Sequence, residues 1–311
     1  MITHIAVGVD GYPEGRDAVA LGAGLARATG ADLMLVAIYF DPLLALPDGT
    51  DSTAPREAAE RLLRESRDAL APDARIIAEA DISTARGLLR VVDREHRDLL
   101  VLGSSRRAAE GHTRPGKRAR QFLERPECAL AIAPRGMHSR PAPSLRRIGV
   151  GYDGELESEG AFRVAASIAH ACGAELVIRA AVDDRVPRLL RASVTGMFRT
   201  VWSDVIEEAD RRLRELTSAA SETIDGNVRS DVVRGRPADA LLALSEEVDL
   251  LVIGSRAWGP ASRLVLGSTG EALMHDAACP VLVVPRPAVP PEGSPRAGTG
   301  TTQSRATGDV A

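Results

Sequence analysis

Short apolar runs rich in β-branched residues alternate with longer amphipathic segments along most of the chain. The short runs are typical of buried strands. The longer segments are typical of helices, because their apolar residues recur at three- and four-residue spacing. In the second half, residues 158–173 predict a helix with Ser158 as its N-cap and Gly173 as its stop. The other predicted elements there are strands at 147–153, 174–182, 227–235, 248–254 and 280–285, and helices around 203–222, over 237–247 and after Ser268.

The same order of elements occurs twice. IAVGVDG at 5–11 returns as IGVGYDG at 148–154, and DLLVLGS at 98–104 returns as DLLVIGS at 249–255. The repeating unit is about 140 residues long, far longer than the repeats of solenoid proteins. The chain is therefore a duplicated domain.

Each copy predicts an α/β fold, because apolar strands joined by helices form a parallel sheet covered on both faces. The sequence thus predicts two tandem three-layer α/β/α domains, each with a five-stranded parallel sheet. We place domain 1 at 1–134, a linker at 135–147, domain 2 at 148–286 and a disordered tail at 287–311. The tail is rich in Pro, Gly, Ser and Thr and has too few apolar residues to offset the entropy of ordering.

The last strand of each copy, 128–134 and 279–285, is predicted to be a sheet edge. Edge strands present unpaired backbone groups, so these two can pair with each other or with another chain. A homodimer is one possible outcome.

Composition excludes several function classes. The net charge of −4 argues against general nucleic-acid binding, which needs a basic face. No stretch approaches the roughly 18 apolar residues of a membrane span, and the N-terminus has no leader pattern. The three cysteines form no CxxC pair, and the six histidines have no metal-ligand spacing. We expect a cytoplasmic protein with no metal site and no membrane partner, in which Cys128 and Cys279 are small buried residues.

Candidate chemistry lies in GSRAWGPASRLVLGS, from Gly254 to Ser268. Gly254 ends a predicted parallel strand, and ligands of open α/β sheets bind at such ends. Gly267, Ser268 and Thr269 begin the next helix. The first turn of a helix has unpaired N–H groups and a positive dipole end, which suit an anion such as a phosphate.

Four more residues complete the candidate site. Asp153 closes the first strand of copy two and can accept hydrogen bonds from an adenine amino group or a ribose hydroxyl. Ala181, at the end of the second strand, would line a base pocket, and Arg256 and Arg263 can neutralise phosphates. From spacing alone a structural interpretation stays open, with Gly254 as strand terminator, Ser268 as N-cap and both arginines in solvent.

These features together resemble the universal stress protein family in its tandem form. Nucleotide-binding members carry Gly, two residues, Gly, nine residues, Gly and then Ser or Thr, which here is matched by Gly254, Ala257, Gly267 and Ser268. GRPADALL and CPVLVVPR also resemble family landmarks, and the resemblance covers roughly residues 1–286. It implies an adenine nucleotide α-hydrolase-like, Rossmann-like fold, a role in stress response and ATP binding. A Mg²⁺ ion bound to the phosphates can accompany the ATP. Asp153 and Ala181 occupy the family's nucleoside-contacting positions.

The second domain departs from the family pattern at Ala257, which stands where the family has its second glycine. The methyl group can crowd a phosphate or strain the turn, at a cost of about 1 kcal/mol.

Copy one departs further. Gly103 and Gly116 keep the spacing, but Arg106 and Lys117 replace the middle glycine and the serine. We expect a degenerate site filled by Arg106; the alternative is an altered site in which Arg106 and Lys117 hold a phosphate.

Two further segments belong to the surroundings of the second site. Glu155, Glu157 and Glu159 suit the dipole at a helix start but would repel phosphates, so we expect them to face away. The basic and apolar loop 188–199 can close over a ligand or contact a partner.

No Ser-His-Asp order, acid/base carboxylate pair or activated cysteine can be assigned from the sequence. We therefore expect a nucleotide-responsive binding protein, not an enzyme, that binds ATP in its second domain and contacts an unidentified protein partner. One alternative is a tandem interaction protein with both sites degenerate. The other is an enzyme that hydrolyses ATP or transfers adenylate.

Overall fold

The structure is a computed structural model, and it describes residues 2–40, 53–123, 128–140, 144–185, 196–224, 226–255 and 266–285. Three predicted site residues, Arg256, Ala257 and Arg263, lie outside these ranges, as do the predicted tail and most of the loop 188–199.

Copy one contains five strands and four helices among its described residues. The strands are β1 (His4–Gly8), β2 (Asp32–Tyr39), β3 (Arg75–Ala80), β4 (Leu99–Gly103) and β5 (Ala129–Ala133). The helices are α1 (Pro13–Thr29), α2 (Ala54–Leu70), α3 (Thr84–Arg94) and α4 (Lys117–Leu123).

Copy two follows the same plan. Its strands are β6 (Arg147–Gly151), β7 (Glu175–Val182), β8 (Val228–Arg234), β9 (Leu250–Gly254) and β10 (Val281–Val284). Its helices are α5 (Leu156–Cys172), α6 (Gly196–Glu222), α7 (Pro237–Glu247) and α8 (Ser268–Asp276).

Local signals explain several of these boundaries. Gly173 ends α5 in the left-handed conformation, with φ of 64°, as its predicted stop role requires. The N-cap of α5 is Glu155, so the prediction of Ser158 as cap is wrong; Ser158 lies in the first turn and donates its hydroxyl to Glu155 O at 3.0 Å. Helix α6 begins at Gly196, earlier than predicted.

The ten strands form one sheet in the order β3-β2-β1-β4-β5-β10-β9-β6-β7-β8. Pairing is parallel within each copy, and β5 pairs with β10 in antiparallel orientation. The predicted edge strands therefore pair with each other. In each copy the strand order reverses beside the first strand, between β1 and β4 and between β6 and β9.

Helices cover both faces of this sheet, and each face has a core that runs through both copies. On one face α1, α2, α5 and α6 contribute to a cluster that includes Ile5 and Ile148, both fully buried. On the other face α3, α4, α7 and α8 contribute to a second cluster that includes Leu100 and Leu251. Leu, Val, Ile and Ala dominate both clusters. The two copies thus share their cores.

The segment between the copies is anchored to α1. Asp17 of α1 is fully buried, and its carboxylate accepts hydrogen bonds from the backbone N–H of Gly136 at 2.9 Å and of His138 at 2.8 Å. Its Oδ1 also lies 2.6 Å from His138 Nδ1. His138 belongs to a short 3₁₀ helix, Met137–Ser139.

Candidate functional site

A cavity of about 540 Å³ opens at the carboxyl ends of the strands of copy two. It lies where β6 separates β7 from β9, which is where ligands of open α/β sheets bind. Its size falls in the range of about 300–1,000 Å³ typical of small-molecule sites. Its lining residues come from β6, β7, β9 and the starts of α5, α7 and α8.

Six of the predicted site residues line this one cavity. They come from four separate elements and are Asp153, Ala181, Gly254, Gly267, Ser268 and Thr269. The structure thus brings together positions that lie as far apart in the chain as Asp153 and Thr269. The remaining predicted residues, Arg256, Ala257 and Arg263, are outside the described ranges.

Gly254 makes the close approach between β9 and α5 possible. A Cβ added at Gly254 would lie 2.2 Å from the carbonyl oxygen of Glu157, which no real side chain can do. The same relation holds in copy one, where a Cβ on Gly103 would lie 1.9 Å from the carbonyl oxygen of Glu14. The repeated strand-end glycine is therefore explained by helix packing even before any ligand is considered.

Helix α8 presents its N-terminus to the cavity. Gly267 is the N-cap with φ of −66° and ψ of 171°, so its backbone is extended and does not itself require glycine. The first helical hydrogen bond runs from Glu271 N to Gly267 O. The amides of Ser268, Thr269 and Gly270 precede that bond and have no partner four residues back. All three residues line the cavity, which makes this end suited to an anion.

Asp153, which also lines the cavity, is held by its own turn. Its backbone N–H donates to Ser158 Oγ at 3.3 Å, and its Oδ1 accepts from the backbone N–H of Glu155 at 3.1 Å. These contacts fix the carboxylate at the rim of the cavity, where it can accept hydrogen bonds from ligand hydroxyl or amino groups.

Two of the three acidic residues at the start of α5, Glu155 and Glu157, line the cavity, because the helix begins earlier than the sequence suggested and its first turn borders the site. That their carboxylates face away from a ligand stays a prediction. Glu159 accepts hydrogen bonds from Tyr152 at 3.2 Å and from Arg163 at 3.1 Å. Burial and the nearby Glu159 carboxylate raise the pKa of Tyr152.

Sequence reasoning missed Arg179, which lines the cavity from the middle of β7. Its side chain is 8% exposed and forms ion pairs with Asp231 at 2.8 Å and Glu247 at 3.0 Å. Glu247 is also paired with Arg229 at 3.0 Å. The hydrogen bond from Arg179 lowers the pKa of Glu247, and the hydrogen bond to Asp231 raises the pKa of Arg179.

An arginine inside the apolar run ELVIRAAV was the available signal for this cluster. Val36 occupies the matching position in copy one, so the cluster distinguishes the second half.

Copy one has a smaller cavity of about 310 Å³ at the matching edge. Two arginines are placed in it by contacts within the protein. Arg106 stacks over the Tyr12 ring with its guanidinium carbon 4.3 Å from the centroid, and Arg118 pairs with Asp10 at 2.5 Å. Asp10 is the counterpart of Asp153, so its carboxylate already has a cationic partner. The expectation of a degenerate site and the alternative of an altered phosphate site both stay predictions, because Arg106 and Lys117 both line this cavity.

The structure also joins Asp17, His138 and Ser139, an array that the sequence did not reveal. Ser139 Oγ lies 3.3 Å from His138 Nε2, whose Nδ1 faces the buried Asp17. None of the three residues lines either cavity. The observed role of the array is to hold the segment between the copies.

Cys128 and Cys279 are both 4% exposed, as predicted, and burial raises the pKa of the Cys279 thiol to about 12. Among the described residues, no cluster of three or more His, Cys, Asp or Glu side chains can hold a metal ion. Within the same ranges, no helix has both the length and the apolar character needed to cross a bilayer.

The structure is a duplicated, doubly wound α/β fold with a cavity at the carboxyl ends of its strands. The model of the universal stress protein family matches residues 1–134 and 144–285. The chain belongs to the universal stress protein family.

Two relatives and two solved structures are similar to the chain over different shares of its length. A universal stress protein of Mycobacterium tuberculosis is 26% identical over 289 residues, covering 90% of this chain and 96% of its own. One from Thermus aquaticus is 33% identical over 144 residues, 45% of this chain and 98% of its own. The crystal structure of a universal stress protein from Archaeoglobus fulgidus has a TM-score of 0.64 at 19% identity, covering 91% of this chain and 98% of that one.

The second solved structure is a universal stress protein in complex with cAMP. It is 22% identical, covers 32% of this chain and 75% of its own, and has a TM-score of 0.29.

Proposed function

We propose that the chain is a nucleotide-responsive binding protein of the cytoplasm that takes up one ATP in its second half. The observation that supports it most is the cavity at the ends of β6 and β9, which the amides at the start of α8 and the carboxylate-bearing Asp153 both line. In this arrangement the phosphates lie at Ser268 and Thr269, and the nucleoside lies between Asp153 and Ala181.

The charges of the described cavity residues favour this orientation of ATP over the opposite one. Asp153, Glu155 and Glu157 are acidic, and the cation Arg179 is already paired with two carboxylates. Phosphates therefore fit at the α8 end, with Arg256 and Arg263 as the proposed additional cations. A bound Mg²⁺ would further reduce repulsion between the phosphates and the acidic wall.

Binding, and not catalysis, is the proposed activity, because the described residues that line the cavity include no histidine, cysteine or lysine. ATP would order the segment between Gly254 and Gly267 and so change a surface that a partner protein contacts.

Calorimetry with ATP, ADP and AMP on the wild type and on Gly267→Val tests this proposal. A valine side chain at the helix start would crowd the phosphates, so the variant should lose binding. Equal heats for the two proteins, or no heat from either, would refute the proposal. Repeated turnover of ATP by the purified protein would favour the enzyme alternative.

Ala257→Gly separates the proposal from the alternative of two degenerate sites. Restoring the family's glycine should tighten ATP binding about fivefold if the methyl group costs about 1 kcal/mol. A protein with two degenerate sites would show no binding before or after this change.

A further inference from the structure

The loop that copy one carries in place of a phosphate-binding segment contacts the opposite half of the molecule. We name residues 104–116 the capping loop. It is internally braced, with Ser105 N donating to Arg114 O at 2.7 Å and Arg114 N donating to Ser104 Oγ at 3.1 Å. It is also tied to the end of β5, where Ser104 Oγ donates to Ala133 O at 2.6 Å.

Thr113 of the capping loop is fully buried against the C-terminal end of α8. Its hydroxyl donates to Leu273 O at 3.0 Å, and its backbone N–H donates to Ala277 O at 2.9 Å. Leu273 lies in the last turn of α8, and Ala277 is the C-cap that follows it. Leu273 O also accepts from Ala277 N at 3.1 Å, so the Thr113 hydroxyl is a second donor to that carbonyl, while the Thr113 N–H supplies a donor to the carbonyl of the cap residue itself. One residue of copy one thus caps the helix that starts at the ligand cavity of copy two.

A second contact supports the same end of α8. Arg120 of α4 places its NH2 nitrogen 3.1 Å from His275 Nε2. The arginine also brings a positive charge to the negative end of the α8 dipole, which is favourable.

Helix α8 has few other sources of local stability. It has nine residues, and helices shorter than about 12–15 residues are marginal without tertiary contacts. Its N-cap is Gly267, which has no side chain to accept from the first-turn amides. Leu273 and Met274 anchor α8 in the core, and the cap at its C-terminal end adds backbone contacts that help to fix where the N-terminal amides point.

We propose that the capping loop is a positioning element for the second site, in which Thr113 fixes α8 and thereby the amides of Ser268, Thr269 and Gly270. The inference rests on the proposed function for its effect on binding, but its effect on the helix is independent of any ligand. Copy one would thus contribute to ATP binding without contacting the nucleotide.

The test compares Thr113→Val with Thr113→Ser. Valine keeps the shape of threonine and the backbone contact but removes the hydroxyl donor, whereas serine keeps the donor. Thr217→Val is the matched control, because Thr217 is also buried and donates to a backbone carbonyl, Arg214 O at 3.2 Å, within α6 on the opposite face. Hydrogen exchange of the α8 amides in the full chain without nucleotide is the first measurement, and ATP affinity is the second.

Thr113→Val should accelerate exchange in α8 about fivefold, corresponding to one hydrogen bond of about 1 kcal/mol, and should weaken ATP binding about two- to fivefold. Thr113→Ser and Thr217→Val should keep wild-type values for both in α8. Unchanged α8 exchange in Thr113→Val would overturn the inference, and so would faster exchange with unchanged affinity. If the wild type binds no ATP, the proposed function fails, and α8 exchange still decides whether the loop holds the helix.

Discussion

Replacing Gly254 by alanine should destabilise the protein even in the absence of any ligand. The added Cβ would lie 2.2 Å from the Glu157 carbonyl oxygen and 2.6 Å from its carbon, so the start of α5 must move away from β9. The obstacle is backbone, not the mobile end of a side chain. Overpacking of this kind costs about 1–3 kcal/mol.

Urea unfolding measures this effect. For a loss of about 2 kcal/mol and a slope of about 3 kcal/mol per molar urea, the midpoint should fall by about 0.7 M. Gly103→Ala should behave similarly, because its Cβ meets the Glu14 carbonyl oxygen in the same way.

Gly116→Ala is the matched control, since nothing lies within 4 Å of a Cβ at that position. It should change stability by no more than about 0.5 kcal/mol. A Gly254→Ala protein with a wild-type midpoint would refute the packing argument. Ligand binding, and not helix packing, would then explain the glycine at this strand end.

Three further predictions concern the ion pairs of Arg179, the three cysteines and the cavity of copy one. The hydrogen bond from Arg179 lowers the pKa of Glu247, so this carboxylate stabilises the fold fully above its unfolded-state pKa of about 4.3 and progressively less as the pH falls through the lower folded-state pKa. Urea midpoints measured from pH 6 to pH 3 should therefore fall less steeply in Arg179→Met than in the wild type. Parallel curves for the two proteins would contradict this. Burial raises the pKa of Cys279 to about 12, and Cys128 is also buried. In a thiol-labelling assay at pH 8, the partly exposed Cys172 should react first and the other two only after denaturation, whereas immediate labelling of all three would be inconsistent with the structure. Arg118 pairs with Asp10 in copy one, whereas the proposed ATP site lies in copy two, so Arg118→Ala should leave ATP affinity unchanged. Weaker binding in calorimetry would place the nucleotide in copy one.

Much of the fold could be predicted because each element is strongly patterned. The α7 bounds, 237–247, agree with the prediction, since Pro237 suits a first helical position and the apolar spacing persists to the end. The start of α5 was misplaced because Ser158 and Glu155 both offer polar atoms at a helix start, and the sequence alone does not rank them.

The candidate site was predictable where a backbone landmark defined it. Gly254 and Ser268 were located by the ends of a strand and a helix. Arg179 was missed because its role depends on Asp231 and Glu247, which lie 52 and 68 residues away in the chain. The cap from Thr113 to Leu273 spans 160 residues, and no local pattern encodes it.

The most direct test of the central claim is titration calorimetry with ATP on Asp153→Ala and its copy-one counterpart Asp10→Ala. The wild type should bind one ATP per chain. Asp153→Ala should weaken binding about 10- to 100-fold through the loss of charged hydrogen bonds to the nucleoside, while Asp10→Ala should leave it unchanged. Two ATP per chain, or a loss of binding in Asp10→Ala with none in Asp153→Ala, would contradict a single site in the second half.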